Sequence, residues 1–572
     1  MTRLGPRLLR LAAAWMVAGP LVAGPGACTA DRPPPRPGVL EVSVEQQASW
    51  VRNFNPLIGG GARWPTKAGI YEPLLVYSAV RGTFVPWLAE GWGWEDGDRV
   101  LRFDLRAGVQ WSDGAPFTAD DVAFTFDLLK RVPALDQGAI WGFVAAVEAD
   151  GDRQVRVRFS RPYSPGIDAL ARQPIVPRHI WSKIADPLRF TNPDPVATGP
   201  FTEVVTFRNQ VYELGRNPRY WQPGKPELQG LRFLAYPAND QANMALTTGE
   251  LDWAGNFVPA IDRTYVAADP AHRGYWFPLV GATVFLYPNT QRPPLGDARV
   301  RKAISMAIDR QLLVQVAMYD YTRPADGSGL SDAYASWRDP VAAGSDWVHY
   351  DLAKARALLD EAGLGKDEDG HRLGPDGAPL ELSIAVVSGW SDWVRAAQVI
   401  ARNLNAVGIA ANVKTLDFSP WFESVTKGEF DLAVGWSSEG ATPYSFYRWL
   451  MSSATVKPVG EEAASNWHRF ASPAADALLE AFERTTDERE QHRLGALLQQ
   501  EFARAAPAIP LFLNPSWGVY NSTRFVGFPS AADPYAQLSP NPLPECLLVL
   551  TTVRPRAPAL AAQAGGTTGE VR

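Results

Sequence analysis

Apolar residues change their spacing along this chain, and each change marks an element. Between Phe430 and Trp436 the positions Leu432, Val434 and Trp436 alternate with the period of a pleated strand. The next residues, SSEGATPYSFY, form a polar run with Gly and Pro that still carries Tyr444, Phe446 and Tyr447. Large rings on a loop predict a segment folded over the core or gripping a ligand from outside. Upstream, Glu381 to Val387 reads as a strand, Trp393 to Val407 as a helix ended by Gly408, Ile409 to Leu416 as a second strand and Ser419 to Lys427 as a short helix. With Phe430 to Trp436 this makes a βαβαβ run, which predicts parallel strands joined by right-handed crossovers.

Elsewhere strand-like and helical segments alternate without an internal repeat. Val100 to Leu105 reads as a strand; Thr118 reads as an N-cap with Asp121 three residues on, and Val122, Phe126 and Leu129 share a face. A further helix is expected from Asp297, with Val300, Ile304, Ile308 and Leu312 at four-residue steps.

In open α/β sheets ligands sit beyond the carboxyl ends of the strands. Here those ends are SGWSDW (388–393), DFSPW (417–421) and WSSEGATPY (436–444). Trp390, Trp393, Trp421, Trp436 and Tyr444 are therefore expected on one rim, each either packing a loop or walling a ligand cleft. Aromatic faces suit sugar rings, peptide side chains and cationic heads, and 21 tryptophans in the chain tilt the expectation toward sugars.

Composition adds bounds. The 572 residues predict two or three domains, and 46% hydrophobic with 20% charged residues is globular. The net charge of −6 becomes −9 without the segment carrying Arg3, Arg7 and Arg10, and no basic stripe suggests nucleic acid. Residues 1–27 have a basic start and an apolar run from Leu11 to Val22, the anatomy of a signal peptide. Pro25-Gly26-Ala27-Cys28 resembles a bacterial lipobox with Pro25 where Leu is usual; it predicts a lipidated Cys28, the alternative being an ordinary secreted protein. Residues 28–38 then form a Pro-rich tether, and 556–572 an Ala/Gly/Thr-rich disordered tail. Cys546 is the one other cysteine, which excludes a disulfide framework.

No GxSxG elbow, HExxH or P-loop occurs, and the six histidines form no metal-like pair, so neither cofactor nor metal is expected. A glycoside hydrolase needs only two carboxylates beside aromatic platforms; Asp392, Asp417 and Glu439 would be the candidates, though carboxylates at such places usually cap helices.

Several blocks in order resemble the extracytoplasmic solute-binding proteins of ABC importers, family 5, the oligopeptide, dipeptide and nickel class. They are YEPLLVY (71–77), FVPWLAEGWGWED (84–96), FDLRAGVQWSDGAPFTADDVAFTFDLLK (103–130), ATGPF (197–201), NPRYW (217–221), GELD (249–252), DARVRKAISMAIDRQLL (297–313) and APAIPLF (506–512). The resemblance covers about residues 40 to 550. It implies an α/β, two-lobe periplasmic-binding-protein-like fold of type II, with an extra subdomain inserted in the first lobe at about 65–195. The first lobe would hold 39–275 and 518–552, the second 280–515. It also implies capture of an oligopeptide or short oligosaccharide by lobe closure, delivery to a permease and ATPase complex, and no enzymatic step.

Peptide-binding relatives commonly carry an aspartate after the strand matching Phe430 to Trp436, where this chain has Glu439. The run GWSSEGATPYSFYRWLMSS with SNWHRF (465–470) looks more like the oligosaccharide binders of the family. Facing residues expected from the first lobe are Trp64, Trp253 and Asn256, whereas Trp87, Trp92, Trp94 and Trp111 are expected to pack the inserted subdomain. A monomer, anchored outside the cytoplasmic membrane, is the expected form; a sensing lipoprotein on the same fold is the alternative.

Overall fold

The βαβαβ run forms as its periodicity requires. In the computed structural model, which describes residues 36–557 apart from 45, 60–68 and 542–543, strand Glu381–Val387 pairs in parallel with Ala410–Leu416 on one side and with Leu432–Trp436 on the other. Helix Ser391–Asn405 buries Ala397, Ile400, Ala401 and Leu404 on these strands. Strand Ala410–Leu416 is a sheet edge and keeps Asn412, Lys414 and Thr415 exposed, as an edge needs to stay soluble. Strands Thr283–Pro288 and Ile509–Leu513 add antiparallel on the far side and complete a five-stranded sheet.

A second, seven-stranded sheet runs in the order Arg273–Tyr275, Val519–Asn521, Trp253–Ala254, Val39–Ser43, Gly230–Leu234, Val211–Arg216 and Phe201–Arg208. Two stretches of chain, 276–282 and 514–518, join the sheets side by side: Trp276 N–H donates to Gly518 C=O (3.0 Å), Ser516 to Pro278 (2.9 Å) and Asn514 to Ala282 (2.9 Å). This is the two-lobe architecture.

A four-stranded antiparallel sheet, Ala89–Glu95, Val100–Leu105, Gln154–Phe159 and Val144–Asp150, is inserted in the first lobe and carries helix Ala119–Arg131. The helix starts with the expected capping box, Thr118 N–H donating to Asp121 Oδ2 (3.0 Å), and buries Val122, Phe126 and Leu129. Trp111 is wholly buried and donates to the same carboxylate.

Two expectations are corrected. The helix after Asp297 does not run to Leu312. It ends at Ala307, and Arg310–Met318 is a separate helix capped by Asp309, whose carboxylate accepts from Leu312 N–H (2.9 Å). The buried guanidinium of Arg310 donates to the carbonyls of Ser305, Val348 and Pro510, and so secures the corner. Second, Tyr444, Phe446 and Tyr447 are not on a loop. Thr442 and Pro443 start helix Pro443–Met451, a cap followed by proline in the first turn. Phe446 and Tyr447 then pack into the core beside Phe285 and Phe502. Among the described residues no helix is long and apolar enough to cross a membrane.

Candidate functional site

Four of the five predicted rim residues meet. Trp390 lies 4.8 Å from Trp393, 6.1 Å from Trp421 and 6.1 Å from Trp436, ring centre to ring centre, and Trp421 lies 5.3 Å from Trp436. Trp467 closes the group, 5.1 Å from Trp436 and at 88° to it, the edge-to-face arrangement that indoles favour. Most of this surface faces other rings. Trp393, Trp421 and Trp467 are buried, Trp421 completely, while Trp390 and Trp436 remain half-buried.

Several of the expected ligand contacts are buried in this closed arrangement. Trp421 is wholly buried among neighbouring indoles, and Trp393 is buried against Trp390. Trp253 is a strand residue in the first sheet; it is 1% exposed and its indole N–H donates to Leu538 C=O. Asn256 is buried and donates to Asn243 Oδ1 (2.6 Å). Tyr444 is buried and donates to Glu483, with its oxygen 3.4 Å from that of Tyr163. Trp64 and Cys28 lie outside the described residues.

Glu439 is the predicted residue that most clearly faces open space. Protein surrounds it, and desolvation raises its pKa, yet its surface is exposed. Both hold for a group on the wall of an internal space. That space is a chamber between the lobes, lined by Tyr77, Arg172, Gln537 and Glu545 from the first lobe and by Tyr334, Glu439 and Gly440 from the second; about 20 Å³ is open to the centre of a water, room for about one.

The wall is rigid. The Tyr334 hydroxyl accepts from Gly440 N–H (2.8 Å) and donates to Gly440 C=O (3.0 Å), which fixes the residue after Glu439. The Glu545 carboxylate accepts from Ser78 Oγ (2.8 Å), Ala79 N–H (3.2 Å) and Gln537 Nε2 (2.7 Å). Arg172 donates Nε to Asp168 (2.9 Å), and its guanidinium carbon lies 5.4 Å from the Tyr77 ring centre. Burial pushes the Tyr77 phenol up to about 12, and that of Tyr334 further, so both stay neutral donors.

The lobes touch at two more places. Asn239 donates to Asp392 Oδ1 (3.4 Å), and burial pushes Asp392 up to about 6. Beside it, the Arg395 guanidinium lies 5.2 Å from the Phe257 ring centre and 5.3 Å from that of Tyr319; its Nε and Nη2 are buried without a partner among the described residues. The third contact is a clasp between the inserted subdomain and the turn after helix Pro473–Glu483. Ser164 N–H donates to Glu483 C=O (2.8 Å) and Ser164 Oγ to Phe482 C=O (3.2 Å), while Gln491 Nε2 donates to Ser164 Oγ (3.1 Å). Arg161 pairs with the Glu483 carboxylate and Thr486 donates to Asp98.

Sequence reasoning missed Arg172, Tyr77, Tyr334, Glu545 and Arg395. Asp168 and Arg172 have the four-residue spacing of a helical ion pair, but nothing local says that the pair faces another lobe. On an exposed turn, Asp367, Asp369 and His371 bring ligand atoms within 4.8 Å of one another; exposed acidic groups commonly do so without an ion.

Two α/β lobes on paired crossing segments, with a closed polar seam between them, define a binding protein that grips a solute. Residues 83–458 match the family described as bacterial extracellular solute-binding proteins, family 5 (middle part), and the chain belongs to that family. It is accordingly a substrate-binding protein of ABC importers. The Pseudomonas aeruginosa chain named "Probable di/tripeptide-binding protein 5" is 28% identical over 437 residues, 71% of this chain and 77% of that one. Among solved structures, the periplasmic oligopeptide-binding protein of Thermotoga maritima with bound mannohexaose superposes with a TM-score of 0.83 at 27% identity, covering 92% of this chain and 100% of that chain. An oligopeptide-binding protein of Bacillus subtilis in complex with a nonapeptide superposes with 0.76 at 20% identity and 92% and 100% coverage, a likeness of fold.

Proposed function

We propose that this protein captures a short oligosaccharide between its lobes and delivers it to a membrane permease and its ATPase. The lobes, 39–275 with 518–552 and 280–515, open and close about residues 276–282 and 514–518. The observation that carries the ligand class is the pair Trp390 and Trp436, the two indoles of the cluster that keep open surface at the strand exits, with Glu439 three residues beyond. Half-covered indole faces are stacking platforms for sugar C–H faces. The mannohexaose bound by the Thermotoga relative supports the same reading. An oligopeptide is the second reading. It is favoured by the Glu439 carboxylate and the unpartnered edge of Arg395, charges suited to the two ends of a zwitterion.

Export by residues 1–27, lipidation at Cys28 and action as a monomer complete the proposal. A sensing role on the same fold is distinguished by whether permease and ATPase genes lie beside this one. A thermal-shift screen decides the ligand: a cleft ligand at a hundredfold excess over its Kd adds about 2.7 kcal/mol to stability. Mannohexaose and cellohexaose are expected to raise Tm while tri-alanine does not. The opposite pattern would replace the sugar with the peptide, and shortened sugar products after incubation would mean a hydrolase.

A further inference from the structure

Arg395 sits where the lobes meet beside the crossing segments. Its guanidinium carbon lies 5.2 Å from the ring centre of Phe257 in the first lobe and 5.3 Å from that of Tyr319 in its own lobe. Phe257 in turn packs on Trp517 of a crossing segment, with 5.4 Å between ring centres. The residue as a whole is half-buried, but Nε and Nη2, which share one edge of the guanidinium, are covered and have no partner among the described residues. Asp392, one turn earlier on helix Ser391–Asn405, accepts instead from Asn239 Nδ2 of the first lobe (3.4 Å).

A charged edge that gives up its hydration and gains no acceptor costs more than a neutral donor would, and cation–π contact returns less than two such donors lose. The closed arrangement therefore carries a penalty at Arg395. Parting the lobes withdraws Phe257 and admits water to the edge, which removes the penalty. A ligand oxygen that reaches the edge removes it without opening. We propose that Arg395 is a closure gate: it holds the empty protein open and lets the lobes stay closed on an occupant that offers it an acceptor. The gate gives a ligand the differential interaction with the two states that a population shift requires. This inference rests on the proposed movement of the lobes and not on the choice between sugar and peptide, since hydroxyl, carbonyl and carboxylate oxygens all accept.

The test is the distance between spin labels on the full exported chain, placed through Leu188→Cys and Tyr350→Cys at exposed positions of the first and second lobes and read by pulsed electron resonance. Without ligand the labelled protein is expected to be mainly open, and mannohexaose should bring it to the short, closed distance. Arg395→Met, which keeps the bulk and removes the donors, should raise the ligand-free ratio of closed to open about tenfold. Arg395→Lys should keep the ratio found with arginine, because a buried ammonium group also needs an acceptor. Should Arg395→Met not fold, the neutral Arg395→Gln should raise the ratio about threefold. A protein that closes on ligand while Arg395→Met and Arg395→Gln leave the ligand-free ratio unchanged would overturn the gate and leave the proposed function standing. Closure on tri-alanine in place of mannohexaose would support the gate and replace the sugar. A distance that no ligand changes would overturn the lobe movement and the gate with it.

Discussion

The indole cluster and the charged chamber are three residues apart in sequence, at Trp436 and Glu439, and opposite in character. In the cluster the rings cover one another, and the burial that makes them conspicuous also leaves little of them for a ligand. In the chamber the hydrogen bonds stay within each lobe, and residues of both lobes line one space. Aromatic richness at strand exits therefore reports packing first. Function is better marked by groups whose surroundings depend on how two separate parts of the chain meet.

The difference between indole cluster and seam can be broken by mutation, beginning with the cluster. Trp421→Ala removes a wholly buried indole and should cost about 3–5 kcal/mol in urea unfolding, with the affinity of the folded protein unchanged within twofold. Trp390→Ala should do the reverse, weakening ligand about tenfold for a smaller loss of stability; equal effects from the two substitutions would erase the distinction. At the seam, folded Asp392 holds its proton to about pH 6, whereas the unfolded chain loses it near 3.8. The folded state thus binds the extra proton between these values, so this group makes stability fall as pH rises through the window, by about 2–3 kcal/mol. Asp392→Asn should flatten that part of the pH profile of urea unfolding and raise stability at pH 7. Smallest of all, Arg161→Ala at the half-exposed clasp pair should cost under about 1 kcal/mol and speed ligand release about twofold in stopped-flow fluorescence.

The parts of the fold legible in the sequence were those set by local periodicity. The parallel run from Glu381 to Trp436 and the cap at Thr118 follow from alternation and from one hydroxyl–carboxylate spacing. The helix at Pro443 was equally local, since Thr442 and Pro443 announce it and Tyr444, Tyr447 and Leu450 recur on a helical period; the polar residues before it hid the signal. The corner at Ile308 was not local, because it depends on Arg310 reaching carbonyls as far away as Pro510. The convergence of the indoles could be read from strand exits, but their coverage could not, as Trp467 arrives from a distant segment. Arg172 was illegible for the same reason: Glu439, which lines the same space, lies 267 positions later in the chain.

The clasp has a consequence for turnover. Phe482 and Glu483 end a helix; Glu483 C=O accepts from Ser164 N–H of the opposite lobe, and Phe482 C=O accepts from Ser164 Oγ beside its local bond from Thr485 N–H. When the halves part, solvent can take the place of the serine at both oxygens, leaving neither stranded. A cargo carrier built this way can let go at the membrane without first surmounting the penalty of an orphaned polar group.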